Sequence, residues 1–390
     1  MRRIRVPKRQ NLAERARETG FGLLEIDGEV YWDESAYYGF TLDQIEDHIE
    51  DPTTELEAMC RELAARAIDD ENMLRRMQIP EHAWNLVAES WRRGDYSLYG
   101  RFDLAYDGST PAKLLEYNAD TPTALFEASV FQWLWLEDAR TLGHVPTDAD
   151  QFNSIHEALI ARLGEFKHAM GKIDLLHLAC DPQSEEDRGL VDYLADCAAQ
   201  AGFESYKFAL EHIGDRGNGP FVDLDDKPIT TLFKLYPWEW MLADPFARSD
   251  SMHVTRFAEP PWKAMLSNKA ILPLLWQMAP GHPNLLPAYF EDDPARKTIS
   301  SAYARKPVHS REGANVTLVR DGATFESEGG SYDEGGYVWQ ALAVMPAFDG
   351  NTPVIGSWMV GGKACGIGIR EDVSAITRNT SRFIPHAILP

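Results

Sequence analysis

The segment 100–124, GRFDLAYDGSTPAKLLEYNADTPTA, constrains the fold more than any other stretch of the chain. Two strand-like runs flank Asp107, Gly108, Ser109 and Pro111, residues that favour turns, so the segment predicts a β-hairpin with strands over 96–106 and 112–118. Side chains two apart on a strand share a face. Arg101 and Asp103 therefore stand together on one strand, and Glu116 and Asn118 on the other. The pairing register decides whether the four meet. With Asp103 opposite Leu114 or Glu116, Asp103 and Glu116 share a face, and a slip of one residue parts them. Gathered on one surface, these four residues describe metal- or anion-binding chemistry, or an ordinary polar sheet face.

The flanking sequence fills in an α/β framework. Thr41-Leu-Asp-Gln44 has capping-box spacing, and Leu56, Met59, Leu63 and Ala67 continue a helical pattern. A second helix after Pro80 places Trp84, Val87 and Trp91 on one face, where core packing explains them. Thr123 can cap a helix over 124–141, whose N-terminus would favour an anion near the hairpin. KIDLLHLACD, SEEDRGLVDYLADCAAQAG and ESYKFALEHI read as a strand, an amphipathic helix and a strand, a βαβ unit. ITTLFKLY is a further strand, and 268–278 fits a helix. The last hundred residues change character, being rich in Gly and β-branched residues. NVTLVRDGATFE predicts a hairpin with a DG turn, and PVIGSWMVGGKACGIGIRED one with a GG turn. A β-rich portion thus follows an α/β lobe, with no clear linker between them.

Composition narrows the partners. The 390 residues hold 61 acidic against 38 basic side chains, a formal charge of −23. That argues against a nucleic-acid partner, whose phosphates demand a basic face. It suits a cationic substrate such as a polyamine, or solubility alone. Cys60, Cys180, Cys197 and Cys365 form no CxxC and read as reduced, mostly buried thiols of a cytoplasmic protein. The basic start MRRIRVPKRQ leads into no apolar leader segment, and the apolar stretch 270–278 is too short to span a bilayer. No GxxxxGK[ST] and no GxSxG occurs. His177 and Cys180 have ligand-like spacing but no second pair, which argues against zinc.

What remains is a set of cations beside glycines. Lys269 follows Ser-Asn, Lys306 ends SAYARK ahead of the loop containing Gly313, and Arg370 ends GIGIR directly before Glu371 and Asp372. Singly, each fits a solvated charge, with Arg370 paired to its acidic neighbours. Together they fit a nucleotide clamp in which lysines neutralise phosphates and an Arg stabilises a transferring phosphoryl group. Asp103, Glu116 and Asn118 supply only oxygen ligands, which suits Mg²⁺.

These residues carry a family resemblance. In order and spacing, YWDESAYYGFT, GRFDLAYDG, LLEYNADTPTA, WKAMLSNKAILPLLW, KPVHSREGANV, IGSWMV and GIGIREDVSAITRNTSRFIPH resemble the synthetase domain of the glutathionylspermidine synthase family, from about Gly20 to the C-terminus. The resemblance implies an ATP-grasp fold behind a preATP-grasp-like α/β substrate lobe. It makes 1–390 one synthetase, with an α/β lobe over 20–260 carrying the metal and acceptor site and a β-rich nucleotide-binding portion over 261–390. It also implies Mg²⁺ on Asp103, Glu116 and Asn118, and ATP on Lys269, Lys306, Gln340 and Arg370, to which the clamp reading adds the backbone around Gly313. Arg101 would meet the acceptor carboxylate, Thr121 and Thr123 a glutathione-like peptide, and Glu185 and Glu186 a polyamine. Arg370 and Arg101 are the catalytic candidates. The amidase domain of the bifunctional members has no counterpart ahead of Gly20, so amide hydrolysis is not expected. The implied activity is an ATP- and Mg²⁺-dependent carboxylate–amine ligase acting on small molecules through an acyl phosphate. Two rival readings stand beside it: a nucleotide or polyamine sensor without turnover, and a magnesium-dependent phosphatase, for which no water-activating base can be named.

Overall fold

The computed structural model describes residues 1–171, 173–332 and 335–390. Lys172, which opens the expected strand KIDLLHLACD, lies outside the described residues. The hairpin forms, with strands Tyr99–Ala105 and Lys113–Asn118. It is not a free-standing ribbon. Tyr99–Ala105 also pairs antiparallel with Thr352–Val360, which pairs with Lys363–Asp372, which pairs with Arg382–Ile384. The resulting five-stranded central sheet therefore takes strands from both sides of position 260. The GG hairpin turns through Gly361 (φ +58°) and Gly362 (φ +83°), conformations open to glycine at no steric cost.

Among the described residues three larger sheets accompany it, besides the two-stranded ribbon Glu25–Ile26/Glu29–Val30. The βαβ unit is present as Leu175–Cys180, helix Glu185–Gln200 and Glu204–Ala209, and Thr231–Lys234 and Arg256–Ala258 extend the same parallel sheet. A second five-stranded sheet joins Ala288–Phe290, Tyr337–Ala341, Tyr303–Pro307 and the DG hairpin Thr317–Arg320/Ala323–Ser327. Arg2–Arg5 pairs with Ala36–Phe40, which also pairs with His386–Ile388, so the first residues and the last share one small sheet. No helix among the described residues is long and apolar enough to cross a membrane.

Helices differ from expectation in detail. The Thr41 capping box is present, yet the backbone passes through a π-helical turn, Glu46–Glu50, before the helix Asp51–Ala67. The helix expected over 124–141 starts at Leu125, because Ala124 takes φ +64°, and it contains a π turn, Glu127–Phe131, ahead of Gln132–Thr141. The helix expected over 268–278 shortens to Ile271–Met278, since the Asn268 side chain accepts from the Ala270 N–H instead of extending the helix.

Burial explains which way the site hairpin faces. Phe102, Leu104, Leu114 and Tyr117 join one large apolar core with Leu56, Cys60 and Leu63 of the helix Asp51–Ala67. Phe102 and Tyr117 stack with ring centroids 3.8 Å apart, and the Tyr117 hydroxyl donates to Glu57 at 2.8 Å. Turning that face inward costs nothing and leaves the polar face outward.

The open end of the hairpin is held by buried charges. Glu259, fully buried, accepts the N–H groups of Leu98 (2.9 Å) and Tyr99 (2.9 Å). Lys263 donates to the carbonyls of Tyr99 (3.1 Å) and Ala119 (3.0 Å) and pairs with Glu259 at 3.4 Å. Asp120 pairs with the equally buried Lys234 at 2.8 Å and accepts the Trp238 N–H at 2.7 Å. Removing one partner from such a pair strands the other charge. Lys263→Met is expected to lower unfolding stability in urea by about 3–5 kcal/mol, and an unchanged denaturation midpoint would show that the clamp carries no weight.

Candidate active site

The register brings the four hairpin residues together. Arg101 lies opposite Asn118 and Asp103 opposite Glu116, and a bulge then shifts Leu104 to Leu114. Arg101 holds Asp103 in a fork, Nε to Oδ1 at 2.7 Å and Nη2 to Oδ2 at 3.1 Å, and its Nη1 donates to the Thr123 carbonyl at 2.8 Å. That leaves one hydrogen on each terminal nitrogen for a ligand. Asn118 donates to Asp103 at 3.1 Å and to Glu116 at 3.4 Å. Gly356, opposite Asp103 on the next strand, makes room for the arginine: a Cβ there would lie 2.6 Å from the Arg101 Cδ.

A cavity of about 230 Å³ opens beside this face, between the central sheet and the second five-stranded sheet. Asp103, Glu116, Lys269, Lys306, Gln340 and Gly313 all line it. Lys269 pairs with Glu116 at 2.9 Å and donates to the Ser310 carbonyl at 2.9 Å. Lys306 donates to Gln340 at 2.9 Å and to the Leu115 carbonyl at 3.0 Å, and Gln340 donates to the Leu114 carbonyl at 2.8 Å. Burial pushes the Lys306 ammonium down to about 8, with Glu116 opposing and Lys269 adding to the shift. Burial pushes the Glu116 carboxyl up, but Lys269, Lys306 and Arg101 outweigh it and bring it down to about 2. The Asp103 carboxyl goes the other way: burial raises it against the pull of Arg101, and Glu116 adds to the rise. Gly313 has φ +72°, and a Cβ would sit 2.8 Å from the Thr377 carbonyl oxygen, so the loop needs glycine at this point.

Arg370 is not paired with its acidic neighbours. Glu371 is taken by Arg3 (2.8 Å), Arg382 (3.0 Å) and the Tyr38 hydroxyl (2.7 Å), and Asp372 by Arg378 (3.1 Å) and Ser381 (2.7 Å). The Arg370 guanidinium instead donates to the carbonyls of Ser381 (2.7 Å), Asn379 (2.8 Å) and Arg378 (2.9 Å), its Cζ 5.0 Å from the Tyr31 ring centre. Nη1 has no hydrogen-bond partner among the described residues. The charge of Arg370 reaches Asp103 on one side and Glu127 on the other.

A second pocket, about 440 Å³, is lined by Glu127, Glu185 and Glu186 together with Gly22, Phe126, Asp192 and Tyr193. Glu185 and Glu186 open the helix Glu185–Gln200, capped by Ser184, as an acidic first turn does, and here that turn also forms a pocket wall. Thr121 accepts from Arg311 at 3.0 Å, and Arg311 pairs with Glu239 at 2.8 Å. Sequence reasoning missed Arg311, Glu239, Tyr31 and Glu127. Arg311 had a signal in its place beside Gly313, and Glu127 in being a carboxylate inside the apolar run LFEASVF.

Asp103, Glu116 and Asn118 present hard oxygen donors on one face, the chemistry Mg²⁺ takes. Among the described residues no group of three or more His, Cys, Asp or Glu stands close enough to hold a metal by itself. The donor set thus fits an ion whose remaining ligands are phosphate and water oxygens, the usual state of Mg²⁺ beside a nucleotide. His177 meets Asp223 at 3.4 Å, and the Cys180 side chain is buried in the core.

The α/β lobe, the paired sheets and the cleft between them define an α/β protein of the ATP-grasp class with a preATP-grasp lobe. The chain belongs to the glutathionylspermidine synthase preATP-grasp family, whose model matches residues 3–389. It is 45% identical to a Haemophilus influenzae protein provisionally named an acid–amine ligase, the match covering 98% of both chains. It is 31% identical to the trypanothione synthetase of Crithidia fasciculata, over 85% of this chain, and 25% identical to the bifunctional glutathionylspermidine synthetase/amidase of Escherichia coli, over 93%. The chain spans 53% of the former and 61% of the latter. A solved glutathione synthetase-like effector of Globodera pallida shares the fold, with a TM-score of 0.56 at 14% identity over 98% of each chain. This protein is an enzyme of the acid–amine ligase type.

The packing of Gly356 against Arg101 is open to direct test. Gly356→Ala is expected to cost about 1–3 kcal/mol of unfolding stability, as overpacking does. Gly164→Ala, in the helix Ile155–Ala169 with nothing within 4 Å of the added carbon, should instead gain about 0.4–1 kcal/mol. Equal effects of the two substitutions would contradict the close approach of Arg101.

Proposed function

We propose that this protein is an ATP- and Mg²⁺-dependent ligase that joins the carboxylate of a peptide or amino acid, glutathione-like, to an amine, polyamine-like, through an acyl phosphate. One observation carries the reading. The charge of Arg370 acts on Asp103, which lines the same cavity as Lys269 and Lys306, and on Glu127, which lines the same pocket as Glu185 and Glu186, so one guanidinium lies within electrostatic range of a cation-lined and a carboxylate-lined site. The names of the relatives, glutathionylspermidine and trypanothione synthetases, support the substrate classes.

In this reading Lys269 and Lys306 neutralise phosphates, the backbone at Gly313 approaches them, and Gln340 orders Lys306 and the adenine side of the cavity. The acceptor carboxylate sits on the two free donors of Arg101, beside the turn carrying Thr121 and Thr123. Asp103, Glu116 and Asn118 would hold Mg²⁺, which supplies charge neutralisation for the phosphate oxygens when bound. Arg370 stabilises the phosphoryl group as it moves. Glu185 and Glu186 hold the amine as a cation. No side chain need form a covalent intermediate.

A screen of ADP release across carboxylate–amine pairs, with ATP-only controls, tests the activity. Uncoupled ATP hydrolysis or an inert protein across the panel would contradict it. Lys306→Ala is expected to weaken ATP binding by about ten- to a hundredfold, the loss of a charge-assisted contact of roughly 1.5–3 kcal/mol, and unchanged affinity by calorimetry would place the nucleotide elsewhere. Arg370→Ala should lower turnover by about a hundredfold or more while ATP affinity changes much less, because its contact is made in the transition state. Equal ADP release by the two proteins would remove Arg370 from the mechanism.

A further inference from the structure

The acidic pocket holds two kinds of carboxylate. Glu185 is exposed and Glu186 half-buried, both at the solvent end of a helix. Glu127 is 3% exposed and lies deeper, on the π turn Glu127–Phe131. Its Oε1 accepts from the Tyr31 hydroxyl at 2.9 Å, and the Tyr31 ring in turn lies under the Arg370 guanidinium. Glu127 therefore lies where the amine pocket meets the phosphoryl side of the site. An amine entering this pocket arrives as an ammonium ion, which has no lone pair for attack. Something at that junction has to take a proton.

We propose that Glu127 is the general base that deprotonates the amine nucleophile, with Tyr31 as its positioning residue. The assignment rests on the ligase reading above. The step balances: the ammonium gives one proton to the Glu127 carboxylate, and the freed nitrogen attacks the carbonyl carbon of the acyl phosphate. The C–N bond forms, and the C–O bond to phosphate breaks with its electron pair on the leaving oxygen. The second nitrogen proton goes to that phosphate, leaving a neutral amide, hydrogen phosphate and a protonated Glu127 that then releases its proton to solvent. The charged and titratable groups facing Glu127 are Tyr31, Glu186 of the helix Glu185–Gln200 and Arg370 of the strand Lys363–Asp372. Burial first, and the Glu186 charge second, push the Glu127 carboxyl up to about 7, while Tyr31 and Arg370 pull it back. A base works best when its affinity for protons matches the working pH. The outer carboxylates, which only need to stay charged, are the ones left near solvent.

The test uses the full chain with glutathione as carboxylate and either spermidine or hydroxylamine as nucleophile; hydroxylamine is already unprotonated at neutral pH. For the wild type, kcat/KM for spermidine should rise with pH with a midpoint near the value of about 7 held by Glu127. Glu127→Gln, which keeps shape and can still accept from Tyr31, should lower that kcat/KM by about a hundredfold or more and abolish the rise, while hydroxamate formation changes little. Tyr31→Phe removes a hydrogen bond that favours the carboxylate, so the midpoint should move to higher pH. Glu186→Gln removes a repelling charge, so it should move to lower pH. A Glu127→Gln enzyme that keeps the pH rise, or that loses both nucleophiles equally, overturns the assignment. A wild type that forms neither product with any carboxylate of the screening panel overturns the ligase reading and the base with it.

Discussion

Two ion pairs with no access to water, Glu259–Lys263 and Asp120–Lys234, fix the open end of the hairpin on which the site is built. Taking four charges out of water costs several kcal/mol each, and the pairs are tolerated because their remaining valences are spent on backbone groups at the strand ends. Leu98, Tyr99 and Ala119 supply those groups, and Trp238, which opens the helix Trp238–Ala243, supplies one more N–H. The pairs thus act on the register of Tyr99–Ala105 against Lys113–Asn118. A slip of one residue would part Asp103 from Glu116, turning the polar side chains of one strand into the apolar core and its core-facing side chains into the cleft. The apolar contacts of the inner face oppose the same slip.

With the register held, the chemistry follows from where charge is placed. The chain as a whole is acidic, at −23, yet the cleft between the two five-stranded sheets is lined by lysines. Those cations are matched internally, Lys269 by Glu116 and Lys306 by a carbonyl and an amide oxygen. A polyphosphate would replace these partners, and a divalent ion would take up the Asp103 and Glu116 carboxylates that the lysine leaves. The second pocket is acidic, lined by Glu127, Glu185, Glu186, Asp192 and Asp196 beside Arg188, which suits a cation. Arg370 is left free of Glu371 and Asp372, its neighbours in sequence, because Arg3 and Arg382 occupy the first and Arg378 the second.

Much of this could be read from the sequence. The i, i+2 spacing of Arg101/Asp103 and Glu116/Asn118, with turn residues between them, was enough to predict a hairpin with one polar face. The DG and GG dipeptides marked two more hairpins that form as expected. The register itself was not legible, because a bulge after Asp103 sets it and no residue type announces a bulge. Helix boundaries near the site differ from expectation where the local backbone departs from helix: Ala124 holds a left-handed conformation, and the Asn268 side chain takes the Ala270 N–H. Glu127 was passed over because a single carboxylate in an apolar helix has no spacing signature. Its meaning comes from Tyr31, Glu186 and Arg370, which lie far from it in sequence.

The central claim is that the carboxylate is activated by phosphorylation before the amine attacks. Oxygen labelling tests it directly. With both carboxylate oxygens of the acceptor labelled with ¹⁸O, each turnover should deliver one labelled oxygen to inorganic phosphate and leave the other in the amide. Phosphate formed without label, while amide accumulates, would contradict the acyl-phosphate route and with it the roles given to Arg101 and Arg370.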